Sequence, residues 1–138
     1  MENKISEENA TAQLQVLLDY YDIDFADFED DKLRQAMTHA SKKLVKAIQK
    51  GRLEIVESDG ITIRQHLKNP SGEVSVLTYR EVDGTSKVAM KSKGDGDNYG
   101  KIYAMMGSLS GLGDVAIQKL KGVDLALVEN LGTLFLQV

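Results

Sequence analysis

The sequence contains no cysteine and no tryptophan, and it has one proline and two histidines among 138 residues. Without cysteine there is no disulfide framework and no thiolate metal site, a composition that suits a reducing compartment. The histidines, His39 and His66, have no second histidine at ligand spacing, and neither has an adjacent activated serine. No run of about 18 apolar residues occurs, so no segment is predicted to span a membrane. The first residues, Met1 to Asn9, are polar and acidic and lack the basic start and apolar run of a secretory signal. These absences predict a soluble, cytoplasmic protein.

Hydrophobic residues make up 42% and charged residues 28% of the chain, as in ordinary globular domains. A chain of this length buries roughly two-thirds of its unfolded surface and needs no covalent staples. The net charge of −4 disfavours generic nucleic-acid binding. The charges are, however, sharply segregated. Asp19, Asp22, Asp24, Asp27, Glu29, Asp30 and Asp31 form a block without a basic residue. Lys32, Arg34, Lys42, Lys43, Lys46, Lys50 and Arg52 follow without an acid among them.

Periodicity and punctuation predict an α+β chain: N-terminal helices, a small antiparallel β-meander and a C-terminal group of helices, in one structural domain. The segments are 1–51 (helical), 52–82 (meander), 83–100 (flexible loop) and 101–138 (helical). Ser6 caps a first helix that runs to about Tyr20, with Ala10, Leu14 and Leu17 on one side. Asp30 or a nearby acid caps a second helix that ends at Gly51. Leu33, Ala36, Met37, Ala40, Leu44, Ala47 and Ile48 share one of its faces, and Lys32, Lys42, Lys43, Lys46 and Lys50 gather opposite. That lysine face reads either as a solvated surface or as a docking face for an anionic partner.

In the meander, Leu53 and Ile55 alternate with Glu54, and Ser58-Asp59-Gly60 is turn chemistry. Ile61, Ile63 and Leu67 then give a strand with one buried face, followed by a turn over Asn69-Pro70-Ser71-Gly72. A third strand covers Val74 to Arg80, and its shift of apolar phase between Val76 and Leu77 predicts a bulge or a strand buried on both faces. From Asp83 to Gly100 the composition predicts a long loop. Helices follow over about Asn98 to Ser110 and Asp114 to Leu120, and Asp124 is the expected cap of a final helix. That helix carries Leu127, Val128, Leu131, Leu134, Phe135 and Val138 on one side and Leu125 and Leu136 on nearly the other. Such a helix is either central in its own core or shared with another chain, whether a client or a second copy.

No motif supplies catalysis. Asp95 to Gly100 begins like a calcium loop, but Tyr99 and Met106 stand where ligands belong. Gly111-Leu112-Gly113-Asp114-Val115-Ala116 fits a loose dinucleotide pattern, but a helix precedes it and Asp114 would meet the phosphate. Leu109 occupies the centre of a would-be serine elbow. The chain is therefore expected to be non-enzymatic, with no metal and no cofactor.

The stretch from Ile61 to Leu136 resembles the tail assembly chaperones of Mu-like and related contractile-tailed phages. The resemblance rests on Leu67 to Pro70 followed by Leu77-Thr78-Tyr79-Arg80-Glu81, on Leu109-Ser110-Gly111-Leu112, and on Leu120 to Leu125 leading to Phe135-Leu136. Val82 stands where a proline usually follows Arg-Glu, and the first 55 or so residues have no counterpart. The resemblance implies a partner, the long helical tape measure protein, held in a transient apolar groove lined by adaptable methionines. Met90, Met105, Met106, Leu125, Phe135 and Leu136 are the contact residues it implies. The alternative is an adaptor that binds an anionic partner through Lys42, Lys43, Lys46 and Lys50.

Overall fold

The computed structural model describes residues 5–91, 93, 94 and 96–138. Among these the chain forms helices α1 (Glu7–Tyr20) and α2 (Asp31–Gln49), strands β1 (Leu53–Glu57), β2 (Ile61–Ser71) and β3 (Val74–Tyr79), and helices α3 (Gly84–Ala89), α4 (Asn98–Ser110), α5 (Asp114–Gln118) and α6 (Gly122–Phe135). A short 3-10 turn, Phe25–Asp27, lies between α1 and α2. The α+β expectation is met.

The first two helices start where acceptors meet free amides. The Ser6 side chain accepts from Asn9 N at 3.1 Å, and the Asp30 carboxylate accepts from Lys32 N at 2.8 Å. Gly51, at φ 75°, takes the left-handed conformation that ends α2. The chain reverses between the helices at Asp22, a left-handed residue with φ 53°. The two helices are antiparallel: Ile5 N donates to Gln49 O at the far end.

The three strands form an antiparallel sheet in the order β1-β2-β3. Leu53, Ile61, Ile63, Gln65, Leu67, Leu77 and Tyr79 point inward, while Glu54, Arg64, Val76 and Thr78 stand exposed on the outer face. Helices α1, α2, α4 and α6 lie against the sheet, and one hydrophobic cluster runs from Leu14 and Leu44 through Ile63 and Leu77 to Met106 and Leu131.

The irregularity lies in β2, not in β3 as the apolar phase suggested. His66 pairs with Val76 and Ser71 with Val74, so the segment Leu67 to Pro70 faces a single residue of β3. Val76 turns outward and β3 runs straight through. The turn also sits further on, at Gly72, with φ 61°.

The bulge exposes two amides that the ladder does not satisfy, and α6 satisfies them. Asp124 is 1% exposed, and its two carboxylate oxygens accept from Lys68 N at 2.8 Å and Asn69 N at 2.9 Å. The Asp124 carbonyl accepts from Gln65 Nε2 at 2.9 Å, and Gln65 Oε1 accepts from Tyr79 OH at 2.7 Å. Burial, then the nearby Asp124 charge, push the Tyr79 phenol far up, so it stays a donor. Asp124 was expected to cap α6. The helix instead starts two residues earlier, at Gly122, without a side-chain cap, and Asp124 caps the sheet.

The segment after β3 also departs from expectation. Asp83 and Ser86 form a reciprocal capping box, and α3 follows where a loop was predicted. Asp97 caps α4 by accepting from Gly100 N at 2.9 Å. Ser92 and Asp95 of the expected loop lie outside the described residues. Two glycines let helices approach closely. A Cβ on Gly107 would lie 2.4 Å from the Gly113 backbone, and one on Gly132 would lie 2.5 Å from Ile102 Cγ2.

Removing the Asp124 carboxylate leaves two part-buried amides without their acceptor, so Asp124→Ala should destabilise the chain by on the order of 2 kcal/mol. Asp124→Asn should recover only part of that loss, because its amide group cannot accept. Urea denaturation at an unchanged m-value measures both. Gly107→Ala should also cost more than Gly132→Ala, because Ile102 can rotate away and the Gly113 backbone cannot.

Candidate functional site

A groove of about 1290 Å³ is lined by α1, the 3-10 turn and α2. Its apolar lining is the half-buried pair Phe25 and Val45, with the edges of the buried Leu14, Leu18 and Ile23 beneath them. Phe25 stacks on Phe28 at 6.0 Å. Thr11 and Gln15 on α1 and Thr38 and Gln49 on α2 complete the apolar-to-polar margin.

The segregated charges of the sequence converge here. Asp19, Asp22, Asp24 and Asp27 line the end where α1 gives way to the 3-10 turn, and Glu7 lies at the opposite end of α1. Lys42, Lys43 and Lys46 line the α2 wall, with His39 nearer the acidic end. All eight carboxylate and ammonium side chains are exposed. None of these lysines forms an ion pair with another described residue. Lys50 is the half-buried C-cap of α2 and does not line the groove. Among the described residues, Ser41 Oγ on the α2 wall is a buried hydroxyl left without a hydrogen-bond partner.

The apolar residues implied as partner contacts are placed elsewhere. Met105, Met106 and Phe135 are at most 2% exposed, so in this conformation they offer no surface to a partner. Leu125 and Leu136 are half-buried and pack against the same cluster, as does Met90. The physical reason is the position of α6: it touches α2, α4, α5 and β2, so both of its apolar sides are covered by its own chain. In this structure most of that helix packs into the chain's own core, with Leu125 and Leu136 half-buried.

A second group of polar side chains joins α1 to the exit of β3. Tyr20 OH donates to the Glu81 carboxylate, which also accepts from Ile61 N at 2.8 Å. Val82 N donates to Tyr21 OH at 3.0 Å. Arg80 pairs with Asp83 at 2.7 Å and reaches the Ser108 carbonyl at 3.1 Å. The Tyr20 hydrogen bond, then the Ile61 amide, hold the Glu81 carboxyl below its ordinary range. The same bond to Glu81 pushes the Tyr20 phenol up to about 12. Burial, then Glu129, push Tyr103 up to about 12 as well. Each of these groups is consumed in holding elements together, and no nucleophile, base and oxyanion donor converge among them. His66 pairs with Glu54 on the exposed face of the sheet. Among the described residues no group of three His, Cys, Asp or Glu side chains is placed to hold a metal ion. No described helix is long and apolar enough to cross a membrane.

The lysines of the groove were legible from sequence, but its apolar floor was not. Leu14 read as one side of the first helix, Leu18 carried no signal, Phe25 fell in an acidic stretch, and only the antiparallel pairing of α1 and α2 brings them beside Val45. No protein family, curated protein or solved structure matches the chain.

The Tyr20–Glu81 contact predicts an acid sensitivity. A carboxylate depressed below its ordinary value of 4.5 contributes stability above that pH and loses it as pH falls through the lower, folded value. Stability of the native chain should therefore drop more steeply below pH 4.5 than that of Tyr20→Phe. Chemical denaturation at a series of acidic pH values measures the difference in slope.

Proposed function

We propose that this chain is a non-enzymatic binding protein that holds a helical segment of another protein in the α1–α2 groove, in the manner of a phage tail assembly chaperone shielding a tape measure protein. The observation that carries this reading is the groove itself: an apolar floor between two helices, rimmed by charges that are unpaired across it among the described residues. A third helix laid between two antiparallel helices buries its apolar stripe against such a floor and its flanks against the rims. The floor between α1 and α2 replaces the C-terminal apolar excess as the docking surface, because that excess is spent on the core.

An anionic partner on the lysine face is the competing reading. Lys42, Lys43 and Lys46 favour it, but Asp19, Asp22, Asp24 and Asp27 share the same groove and repel phosphate.

Co-expression with a helical tape measure fragment should keep that fragment in the soluble fraction. Thr11→Trp places a bulky ring at an exposed groove position and should abolish the effect with the melting temperature unchanged. A fragment that aggregates whether or not the native chain is present removes the chaperone reading. Equal protection by native chain and Thr11→Trp removes the groove. Oligonucleotide binding that collapses with salt would favour the competing reading.

A further inference from the structure

We propose that the groove selects both the charge pattern and the direction of its helix: the occupant is amphipathic, basic in its N-terminal half and acidic in its C-terminal half, and it runs parallel to α2. This rests on the groove being a helix-binding site. The argument is one of charge placed along an axis. The Ile5–Gln49 hydrogen bond fixes α1 and α2 as antiparallel, so the end of α1 lies beside the middle of α2 and the start of α1 beside its end. The acidic end of the groove is therefore the end holding Asp19, Asp22, Asp24 and Asp27. Moving along α2 from Thr38 and His39, the wall becomes basic at Lys42 and Lys46 and finishes at Gln49.

A bound helix brings its own polarity. Its N-terminus carries partial positive charge and its C-terminus partial negative charge. The favourable placement sets the N-terminus against the four aspartates and the C-terminus against the lysines. Basic side chains in the first half and acidic ones in the second reinforce that placement. The opposite direction puts like charge against like at the aspartates and along the lysine wall, and the single Glu7 at the far end offsets only part of that. The groove spans α1, a helix of 14 residues, or about 21 Å at 1.5 Å per residue, so the occupant is a helix of about four turns. Nucleic acid does not fit this pattern, because one end of the groove repels it.

Two acetylated and amidated peptides of one composition test the direction. Both carry leucines at helical spacing; one has lysines in its first half and glutamates in its second, and the other has these halves exchanged. The exchanged peptide is the better helix alone, since its charges suit its own dipole. A preference for the first peptide is therefore not explained by helicity. Fluorescence anisotropy with the full chain at low salt should show the first peptide binding about tenfold more tightly. That preference should shrink towards none in Lys42→Glu/Lys46→Glu, two exposed positions whose replacement leaves the core untouched. Equal binding of both peptides, if lost in Thr11→Trp, overturns the directional inference and leaves the groove as a helix site. No binding of either peptide overturns both. A concentration-dependent dimer that excludes the peptides overturns the proposal in favour of a second copy as occupant.

Discussion

Three short strands do not make a core on their own, and here their joint to the helices runs through one carboxylate. Asp124 reaches from α6 to the amides of Lys68 and Asn69, which the bulge in β2 leaves outside the ladder. Its carbonyl, Gln65 and Tyr79 continue the chain of bonds into the sheet interior. A buried, hydrogen-bonded network of this kind fixes position rather than adding bulk stability, because hydrocarbon packing has no preferred register and directed bonds do. The carboxylate meets β2 at its break in register, and so ties the position of α6 to that point of the sheet. With α6 fixed, Gly132 closes on Ile102, and α4 settles beside it.

The parts of the fold that were legible in the sequence are those governed by local chemistry. Ser6, Asp30 and Gly51 mark the ends of α1 and α2 because caps and left-handed glycines act within a few residues. Ile61, Ile63 and Leu67 alternate because a strand has two faces. The parts that were not legible depend on long-range partners. Asp124 has the local signature of an N-cap, and it became a sheet cap because Lys68 and Asn69, 56 and 55 residues away, needed an acceptor. The phase shift at Val76 looked like a bulge in β3, while the bulge itself lies in β2, where alternation gave no sign. The helix at Gly84–Ala89 is too short and polar for periodicity to reveal, and its capping box of Asp83 and Ser86 was the signal available.

The candidate site divides in the same way. Segregation of acids and lysines is a property of the sequence, and it marked this half of the chain as polarised. That the two blocks line one groove is a property of the α1–α2 reversal at Asp22. The apolar residues with the most pronounced excess, in α6, were consumed by packing, whereas the modest apolar residues Phe25 and Val45 remain near the surface. An apolar excess in a sequence therefore does not identify a binding surface when the helix that carries it is contacted on several sides.

The bulge in β2 has a consequence for the order of events during synthesis. β2 leaves the ribosome well before α6, so the Lys68 and Asn69 amides and the Gln65 side chain emerge without their acceptor and donor partners. Until Asp124 is made, water is the acceptor left to those amides, and the separation of more than 50 residues makes the closure entropically costly. The pairing of α1 and α2, closed by the Ile5–Gln49 bond, lies wholly within the first 49 residues. The groove is thus lined by the first two helices to be made, while the sheet receives its carboxylate from the last, so in order of synthesis the polarised face precedes the partner that completes the interior.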